Sequence, residues 1–186
     1  MKRRLIVFID SGDTIVDEST EIVKHGIVQT AEAIEGAVEA LLSLANEGFR
    51  ICLVADGNLQ SFTNVFRILG IEDVFEAKTV SESVGFQKPH ERMFRTAMKA
   101  MNLTDDDRDR IVMIGNNLKR DIAGANRMGI TSILLSYSPR YDMHPETREE
   151  IPDYVVAFPR EIPPLLGMLD QQLQNRKILN RNHPEI

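Results

Sequence analysis

The sequence has almost no cysteine. Its one thiol, Cys52, excludes an internal disulfide bond. A chain without disulfides suits a reducing compartment, and we therefore expect a cytoplasmic protein. Cys52 lies in the apolar run 51–54, where a buried cysteine usually serves as a small hydrophobic side chain rather than as a reactive thiol. At 186 residues the chain is long enough to bury a core without a metal or disulfide cross-link.

Long hydrophobic runs are also missing. The basic residues 2–4 are followed by only five apolar residues before Asp10, which is too short for a signal peptide or a membrane span. Positive charge is scarce as well, since 22 Lys and Arg against 28 Asp and Glu give a formal net charge of −6. This balance argues against nucleic acid and anionic membranes as partners, although a locally positive pocket is still compatible with it.

Apolar runs alternate with stretches of helical periodicity along the chain. Strands are predicted at residues 5–9, 49–55, 75–80, 110–114, 131–135 and 153–156. Helices are predicted at residues 35–47, 58–69, 89–101, 118–128 and 159–173. This alternation favours an α/β, three-layer, Rossmann-like fold with a mostly parallel sheet of five to six strands. We expect one core domain over residues 1–173 and a frayed polar tail over residues 174–186.

The segments that follow three of the predicted strands are unusually polar. They are the segment 10–14 after the first strand, the segment 56–58 after the second, and residues 115–117 with Asp121 after the fourth. Lys88 precedes Pro89 in a loop before a helix. Because ligands of parallel sheets bind at the carboxyl ends of the strands, we expect these residues to converge. Hard oxygen ligands suit magnesium, whereas a lysine and helix N-termini suit phosphate.

Each of these residues taken alone has an ordinary structural explanation. An Asp after a strand is more often a turn or cap residue than a nucleophile. An exposed lysine is usually solvated, and an Asn pair before a helix usually caps that helix. Their shared position at one edge of the predicted sheet is what favours a functional site.

The chain resembles the haloacid dehalogenase-like (HAD) superfamily of hydrolases from about residue 5 to residue 173. The resemblance is carried by four motifs: Asp10-Ser11-Gly12-Asp13-Thr14, the strand ending in Ala55, Lys88-Pro89, and Gly115-Asn116 with Asp121. It implies a magnesium-dependent phosphatase, either a phosphomonoesterase or an acyl phosphatase, that forms an aspartyl-phosphate on Asp10. The implied partner is a phosphorylated small molecule or macromolecule, and an oligomer is compatible with the sequence.

The resemblance also suggests roles for the residues around these motifs. The residues expected to act in catalysis are Asp10, Asp13, Thr14 and Lys88. The residues expected to contact the substrate are Ser11, Ala55, Asp56, Gly57 and Lys88. The groups expected to bind Mg²⁺ are the side chains of Asp10, Asn116 and Asp121 and the backbone carbonyl of Gly12.

Three positions depart from the family pattern. Gly12 stands where relatives carry the Asp that protonates the leaving group. Ala55 replaces a Ser or Thr whose hydroxyl binds the phosphoryl group, and Asn116 replaces a carboxylate ligand of the metal. An amide oxygen can still coordinate magnesium, but it brings less charge.

The missing acid at position 12 leaves two interpretations open. Asp13, Ser11 or Asp56 could take over the vacant role. Alternatively the role stays vacant, in which case acyl and aryl phosphates should react faster than alkyl phosphates, because their leaving groups need no proton.

Only residues 16–33 are left for a cap over the site, which allows a short flap or one small helix. So little cap is compatible with a macromolecular substrate, a cap from another subunit, or low selectivity. The alternative to a phosphatase is a catalytically weak or silent HAD-fold protein that binds magnesium and a phosphorylated ligand or partner. A dehalogenase is disfavoured, because those relatives need an apolar cap.

Overall fold

The structure is a computed structural model that describes residues 5–137 and 140–182, with residues 176–182 described as backbone only. The strands are β1 (Ile6–Ile9), β2 (Ile22–Lys24), β3 (Ile27–Thr30), β4 (Arg50–Ala55), β5 (Ala77–Val80), β6 (Ile111–Gly115), β7 (Thr131–Leu135) and β8 (Tyr154–Val156). The helices are α1 (Ala37–Asn46), α2 (Leu59–Ile68), α3 (Ser81–Val84), α4 (Glu91–Ala100), α5 (Ala123–Met128) and α6 (Ile162–Asn182). Two short segments matter for the site, a 3-10 turn at Glu18–Thr20 and a π-helical turn at Leu118–Ile122.

Six parallel strands form the main sheet in the order β5-β4-β1-β6-β7-β8. The three-layer α/β fold predicted from the alternating pattern is therefore confirmed. The chain runs outward from β1 to β4 and β5 on one side, and from β6 to β7 and β8 on the other. The order reverses between β1 and β6, which is the position where open parallel sheets form a binding crevice. Asp10 follows β1 and Asn116 follows β6, so both lie at this crevice.

Side chains of β1 alternate between the two faces of the sheet, as the period of a strand requires. Val7 and Ile9 pack in a core with α1, α2 and α6, whereas Ile6 and Phe8 pack in a second core with α4 and α5. All four residues are buried, which explains why β1 is apolar throughout rather than alternately polar. The sheet is therefore covered on both faces, and its open edge is the one where the strands end.

Cys52 lies in β4 and is completely buried among the side chains of the second core. Burial raises the pKa of its thiol to about 12, since a thiolate there would lose its hydration. The interpretation of Cys52 as a small hydrophobic core residue is confirmed.

Residues 16–33 include a small β-hairpin of β2 and β3, which we call the flap. His25 and Gly26 connect its strands with positive φ angles of 52° and 76°, the combination that a tight type I′ hairpin turn needs. Two hydrogen bonds attach the flap to α2: the Val28 N–H donates to Ser61 Oγ at 3.0 Å, and Asn64 Nδ2 donates to the Val28 carbonyl at 3.0 Å. The predicted short flap thus has β structure.

The expectation of a frayed tail from residue 174 is wrong over residues 174–182, because α6 continues to Asn182. Within this helix Gln174 Nε2 donates to Asp170 Oδ2 at 2.6 Å, and Asp170 Oδ1 accepts the N–H of Leu5 at 2.9 Å. Gln, Arg, Lys and Leu, which occur within residues 174–182, are good helix formers, so an anchored helix can continue through them. The last residues, 183–186, lie outside the described part. No helix of the described residues combines the length and apolar character that crossing a bilayer requires.

Close packing of α5 against α4 depends on Gly124. A Cβ added to Gly124 would lie 2.5 Å from Cζ of the buried Phe94 ring and 3.3 Å from Cα of Pro89. We expect Gly124→Ala to lower the free energy of unfolding by about 1–3 kcal/mol in a urea titration, the usual range for an overpacked core.

The matched control is Gly167→Ala in α6, where an added Cβ meets no atom within 4 Å. Alanine is a better helix former than glycine, so this variant should be more stable by about 0.5–1 kcal/mol. If both variants changed the free energy of unfolding in the same direction, the account of helix packing at Gly124 would be contradicted.

Candidate active site

A cavity of about 310 Å³ opens at the carboxyl edge of the sheet, between the strand ends and the flap. The structure places Asp10, Lys88, Asn116 and Asp121 in its wall, although they come from three separate parts of the chain. Convergence of strand-end residues at one edge is what the parallel sheet predicts. The catalytic and ligand roles of these residues stay predictions.

Lys88 is the centre of the polar network in the cavity. Its Nζ lies 2.6 Å from Asp10 Oδ1 and 2.7 Å from Asp121 Oδ1, and it donates to the Val54 carbonyl at 2.8 Å. Burial disfavours the charged ammonium, but the surrounding carboxylates outweigh this cost and raise the pKa of Lys88. The lysine is therefore a fixed positive charge beside Asp10.

Asp121 belongs to the π-helical turn after β6 and is almost completely buried. Its Oδ2 accepts the N–H of Asn117 at 3.0 Å. Burial raises the pKa of Asp121, and the negative charge of Asp10 adds to this effect while Lys88 opposes it. A Cβ on Gly115 would lie 2.6 Å from the Cβ of Asp121, so glycine at the end of β6 lets the acid approach the strand.

The two asparagines after β6 have different positions. Asn117 caps the following helical turn, because its Oδ1 accepts the N–H groups of Lys119 at 3.0 Å and Arg120 at 3.1 Å. Asn116 is buried, and its Nδ2 has no hydrogen-bond partner among the described residues. The capping interpretation thus applies to Asn117, and Asn116 remains available to the site.

Asp56 follows β4 and adds a third carboxylate to the cavity. Its Oδ1 accepts the N–H of Lys88 at 3.0 Å, and its Oδ2 lies 3.6 Å from the Arg120 guanidinium. Burial raises the pKa of Asp56, and the charge of Lys88 acts against this rise. Ser11, Gly57 and Arg120 also line the cavity, but the Gly57 N–H already donates to Ser81 Oγ at 2.9 Å.

The charges of the cavity and its carboxylate oxygens fit a divalent cation. Asp10, Asp56 and Asp121 surround one buried ammonium group, which leaves an excess of negative charge. Asp56 Oδ2 and Asp121 Oδ1 are buried and accept no hydrogen bond from the described residues, although each forms an ion pair, Asp56 Oδ2 with Arg120 and Asp121 Oδ1 with Lys88. Hard carboxylate and amide oxygens are the ligands that magnesium prefers.

This donor set is not a ready-made cluster of metal-binding side chains. Within residues 5–137 and 140–182, no group of three or more His, Cys, Asp or Glu side chains is placed to hold a metal ion. A cation here would therefore rely on two carboxylates together with amide, backbone and water oxygens, as magnesium commonly does.

Three residues predicted to act in the site do not line the cavity. Asp13 has a φ of 50°, and its carboxylate pairs with the Arg140 guanidinium and accepts the Glu18 N–H at 3.2 Å. Thr14 and Ala55 are buried in the core below the site. These residues of the turn after β1 and of the end of β4 thus lie outside the cavity wall, and the roles predicted for their side chains stay predictions.

Glu18 is one of several cavity residues that the sequence interpretation missed; Glu21, Arg120 and Tyr141 are others. Glu18 Oε2 pairs with Arg140 Nη1 at 2.9 Å, and a Cβ added to Gly12 would overlap Glu18 Oε1. Burial raises the pKa of Glu18, the charge of Asp13 adds to the rise, and Arg140 opposes it. The only local signal was Asp17, whose side chain accepts the Ser19 N–H and begins the 3-10 turn that carries Glu18.

Comparison with known proteins shows which protein family the chain matches. The profile of the haloacid dehalogenase-like hydrolases matches residues 6–129. A glyceraldehyde 3-phosphate phosphatase from Pyrococcus furiosus is 31% identical over 140 residues, which cover 75% of this chain and 55% of the relative. A phosphoglycolate phosphatase from Colwellia psychrerythraea is 32% identical over 103 residues, which cover 55% of this chain and 44% of the relative. The chain thus spans about half the length of these curated relatives.

The fold is also found in solved structures. The HAD-hydrolase YfnB from Bacillus subtilis, solved bound to magnesium, superposes with a TM-score of 0.71 at 18% identity. The superposition covers 89% of this chain and 99% of that one. At this identity the likeness concerns the fold alone.

The buried ion pairs make a prediction about stability. Replacing Lys88 by Met would leave Asp10 and Asp121 facing each other without a cation. We expect Lys88→Met to lower the free energy of unfolding at neutral pH, without added divalent cations, by about 3–5 kcal/mol in urea titrations.

Lys119→Met is the matched control, because it removes an exposed ion pair with Glu146. Exposed pairs contribute little, so this variant should unfold as the wild type does. A Lys88→Met variant as stable as the control would show that the three carboxylates do not depend on the lysine.

Proposed function

The chain belongs to the haloacid dehalogenase-like hydrolase family, and from this membership we propose that it is a magnesium-dependent phosphatase with Asp10 as the nucleophile. One observation carries the proposal: the Asp10 carboxylate lies at the end of β1, in the wall of an open cavity, 2.6 Å from a buried ammonium group. A carboxylate so placed can attack a phosphoryl group whose negative charge the lysine neutralises.

The chemistry has two steps on Asp10. Lys88 engages Oδ1 of Asp10, which leaves Oδ2 as the oxygen that attacks phosphorus. The bond from phosphorus to the leaving oxygen breaks, and an aspartyl-phosphate forms. A water molecule then attacks the same phosphorus, the bond to Asp10 breaks, and inorganic phosphate is released. Lys88 holds Asp10 in position and balances its charge in both steps.

We propose that Mg²⁺ is held by Asp10, Asn116, Asp121 and the Gly12 carbonyl. Three features support this proposal: the excess negative charge, the buried Asp121 Oδ1, whose partner is the ion-paired Lys88, and the magnesium in the similar YfnB structure. When bound, the ion supplies charge neutralisation for the phosphoryl oxygens and orients them. Asn116 contributes a neutral oxygen where a carboxylate would bring charge, so binding should be weak.

The substrate we propose is a small alkyl phosphomonoester. Glyceraldehyde 3-phosphate and phosphoglycolate, which the relatives are named for, are both of this class. A cavity of about 310 Å³ suits a small metabolite. Arg120 lines the cavity with a half-exposed guanidinium and offers a second cation for a carboxylate such as that of phosphoglycolate.

The first test is turnover of p-nitrophenyl phosphate, glyceraldehyde 3-phosphate and phosphoglycolate with and without Mg²⁺. We expect turnover that requires both the ion and Asp10, so that Asp10→Asn reduces each rate to the background value. Asp73→Asn, an exposed carboxylate outside the cavity, is the matched control and should react as the wild type does.

Magnesium binding without turnover would contradict the phosphatase proposal. It would instead favour a catalytically silent member of the family that binds magnesium and a phosphorylated ligand. Ala55, which has no hydroxyl group for a phosphoryl oxygen, is the observation behind that alternative.

The second test measures magnesium directly. Magnesium at ten times its dissociation constant should raise the free energy of unfolding by about 1.4 kcal/mol, because it binds only the folded chain. Asp121→Asn should remove most of this gain, since it deletes a charged ligand, whereas Asp73→Asn should keep it. Calorimetry showing no binding near millimolar concentration, or binding unchanged in Asp121→Asn, would refute the proposed ligand set.

A further inference from the structure

Glu18 brings a carboxyl group into the cavity from the 3-10 turn after β1. A Cβ built on Gly12 would overlap Oε1 of Glu18 and lie 2.7 Å from its Cδ. The carboxyl group thus fills the volume that a side chain at position 12 would take. Gly12 has no left-handed φ, so the backbone itself would accept a side chain there. Glu18 occupies that space from six residues further along the chain.

Arg140 fixes the orientation of this carboxyl group. Its Nη1 lies 2.9 Å from Oε2 of Glu18, and its Nε pairs with Oδ2 of Asp13. Asp13 Oδ1 in turn accepts the backbone N–H of Glu18 at 3.2 Å. These contacts close a ring of three residues that leaves Oε1 beside Gly12, another residue of the cavity wall. Arg140 is thus a positioning residue.

We propose that Glu18 is the catalytic acid and base of the reaction, an assignment that rests on Asp10 being the nucleophile. In the first step Asp10 attacks phosphorus, the bond to the leaving oxygen breaks, and Glu18 gives its proton to that oxygen to form the alcohol. In the second step Glu18 takes a proton from water as the water oxygen attacks the aspartyl-phosphate. Phosphate leaves and Asp10 is regenerated, while Glu18 carries a proton again.

Two other carboxyl groups that the sequence suggested as replacement acids, Asp13 and Asp56, have contacts of their own. Asp13 pairs with Arg140 and does not line the cavity, and Asp56 accepts the Lys88 N–H. Glu18 is about one-third exposed, so it can exchange protons with solvent between turnovers. An acid at this position removes the reason to expect a preference for aryl and acyl phosphates, because alkyl leaving groups then receive a proton.

The test compares kcat/KM for an alkyl phosphate, glycerol 3-phosphate, with that for p-nitrophenyl phosphate. We expect Glu18→Gln to lower kcat/KM for the alkyl phosphate by about 10²- to 10⁴-fold, the usual contribution of a general acid. The value for p-nitrophenyl phosphate should fall by less than about tenfold, because nitrophenolate leaves without a proton. Glu32→Gln, an exposed carboxyl outside the cavity in the same segment, should change neither value.

A second readout follows from the base role. With p-nitrophenyl phosphate, Glu18→Gln should release one equivalent of nitrophenolate in a burst and then turn over slowly, because hydrolysis of the aspartyl-phosphate lacks its base. The burst also shows that the variant is folded and that Asp10 still reacts.

A further pair of variants tests whether the Glu18 carboxyl group occupies the volume that a side chain at position 12 would take. Glu18→Ala removes the side chain that blocks position 12, and adding Gly12→Asp places a new carboxyl group in the vacated volume. We expect the double variant to regain at least tenfold in kcat/KM for the alkyl phosphate over Glu18→Ala alone. No regain in a double variant that still cleaves p-nitrophenyl phosphate would overturn the assignment of this volume to the acid.

The decisive quantity is the ratio of the two kcat/KM values. An equal loss for both substrates in Glu18→Gln, or no loss for the alkyl phosphate, would overturn the role of Glu18 while Asp10 remained the nucleophile. If the wild-type protein showed no turnover that depends on Asp10, the phosphatase proposal itself would be overturned, and the role of Glu18 with it. The two failures are therefore distinguishable.

Discussion

The ammonium group of Lys88, buried between Asp10 and Asp121, is the interaction on which the rest of the site depends. Two carboxylates that both lie within 2.7 Å of one ammonium nitrogen are costly to keep charged unless that cation accompanies them. The sheet supplies this arrangement, because β1 and β6 are neighbours and bring their carboxyl ends together. Lys88 reaches the same point from the loop before α4, where it also contacts the end of β4 through the Val54 carbonyl. One lysine thereby connects three strands and sets the charge of the cavity.

Much of the fold could be predicted because its signals are local. Each apolar run that ends in a polar turn became a strand of the parallel sheet, and Gly48, Gly70 and Gly129 each follow a helix with a positive φ. The flap gave no such signal, since β2 is only three residues long and its side chains are exposed. The extension of α6 beyond residue 173 was missed for a related reason. Residues 174–182 are mostly polar and show no clear apolar period, so their sequence contains no signal of a helix.

The residues of the candidate site also fall into two groups, those that local sequence patterns could predict and those that they could not. Asp10, Lys88, Asn116 and Asp121 could be placed together because strand ends of a parallel sheet share an edge. The position of Asp13 depends on the direction of a tight turn, which a pattern of residue types does not specify. The pairing of Glu18 with Arg140 joins residues 122 positions apart, between the flap side and the segment after β7. Only the folded chain brings such residues together, so this part of the site could not be predicted.

The carboxyl group beside Gly12 has a consequence for how members of such a family are compared. An alignment column records a position along the chain, whereas chemistry depends on the volume that a functional group occupies. In an alignment, this protein lacks an acid at position 12. In the folded chain a carboxyl group occupies the same space, because the longer side chain of Glu18 reaches it from a neighbouring turn. A glycine in a catalytic column is therefore not sufficient reason to classify a homologue as inactive. The space around that glycine has to be inspected before the homologue is described as catalytically inactive.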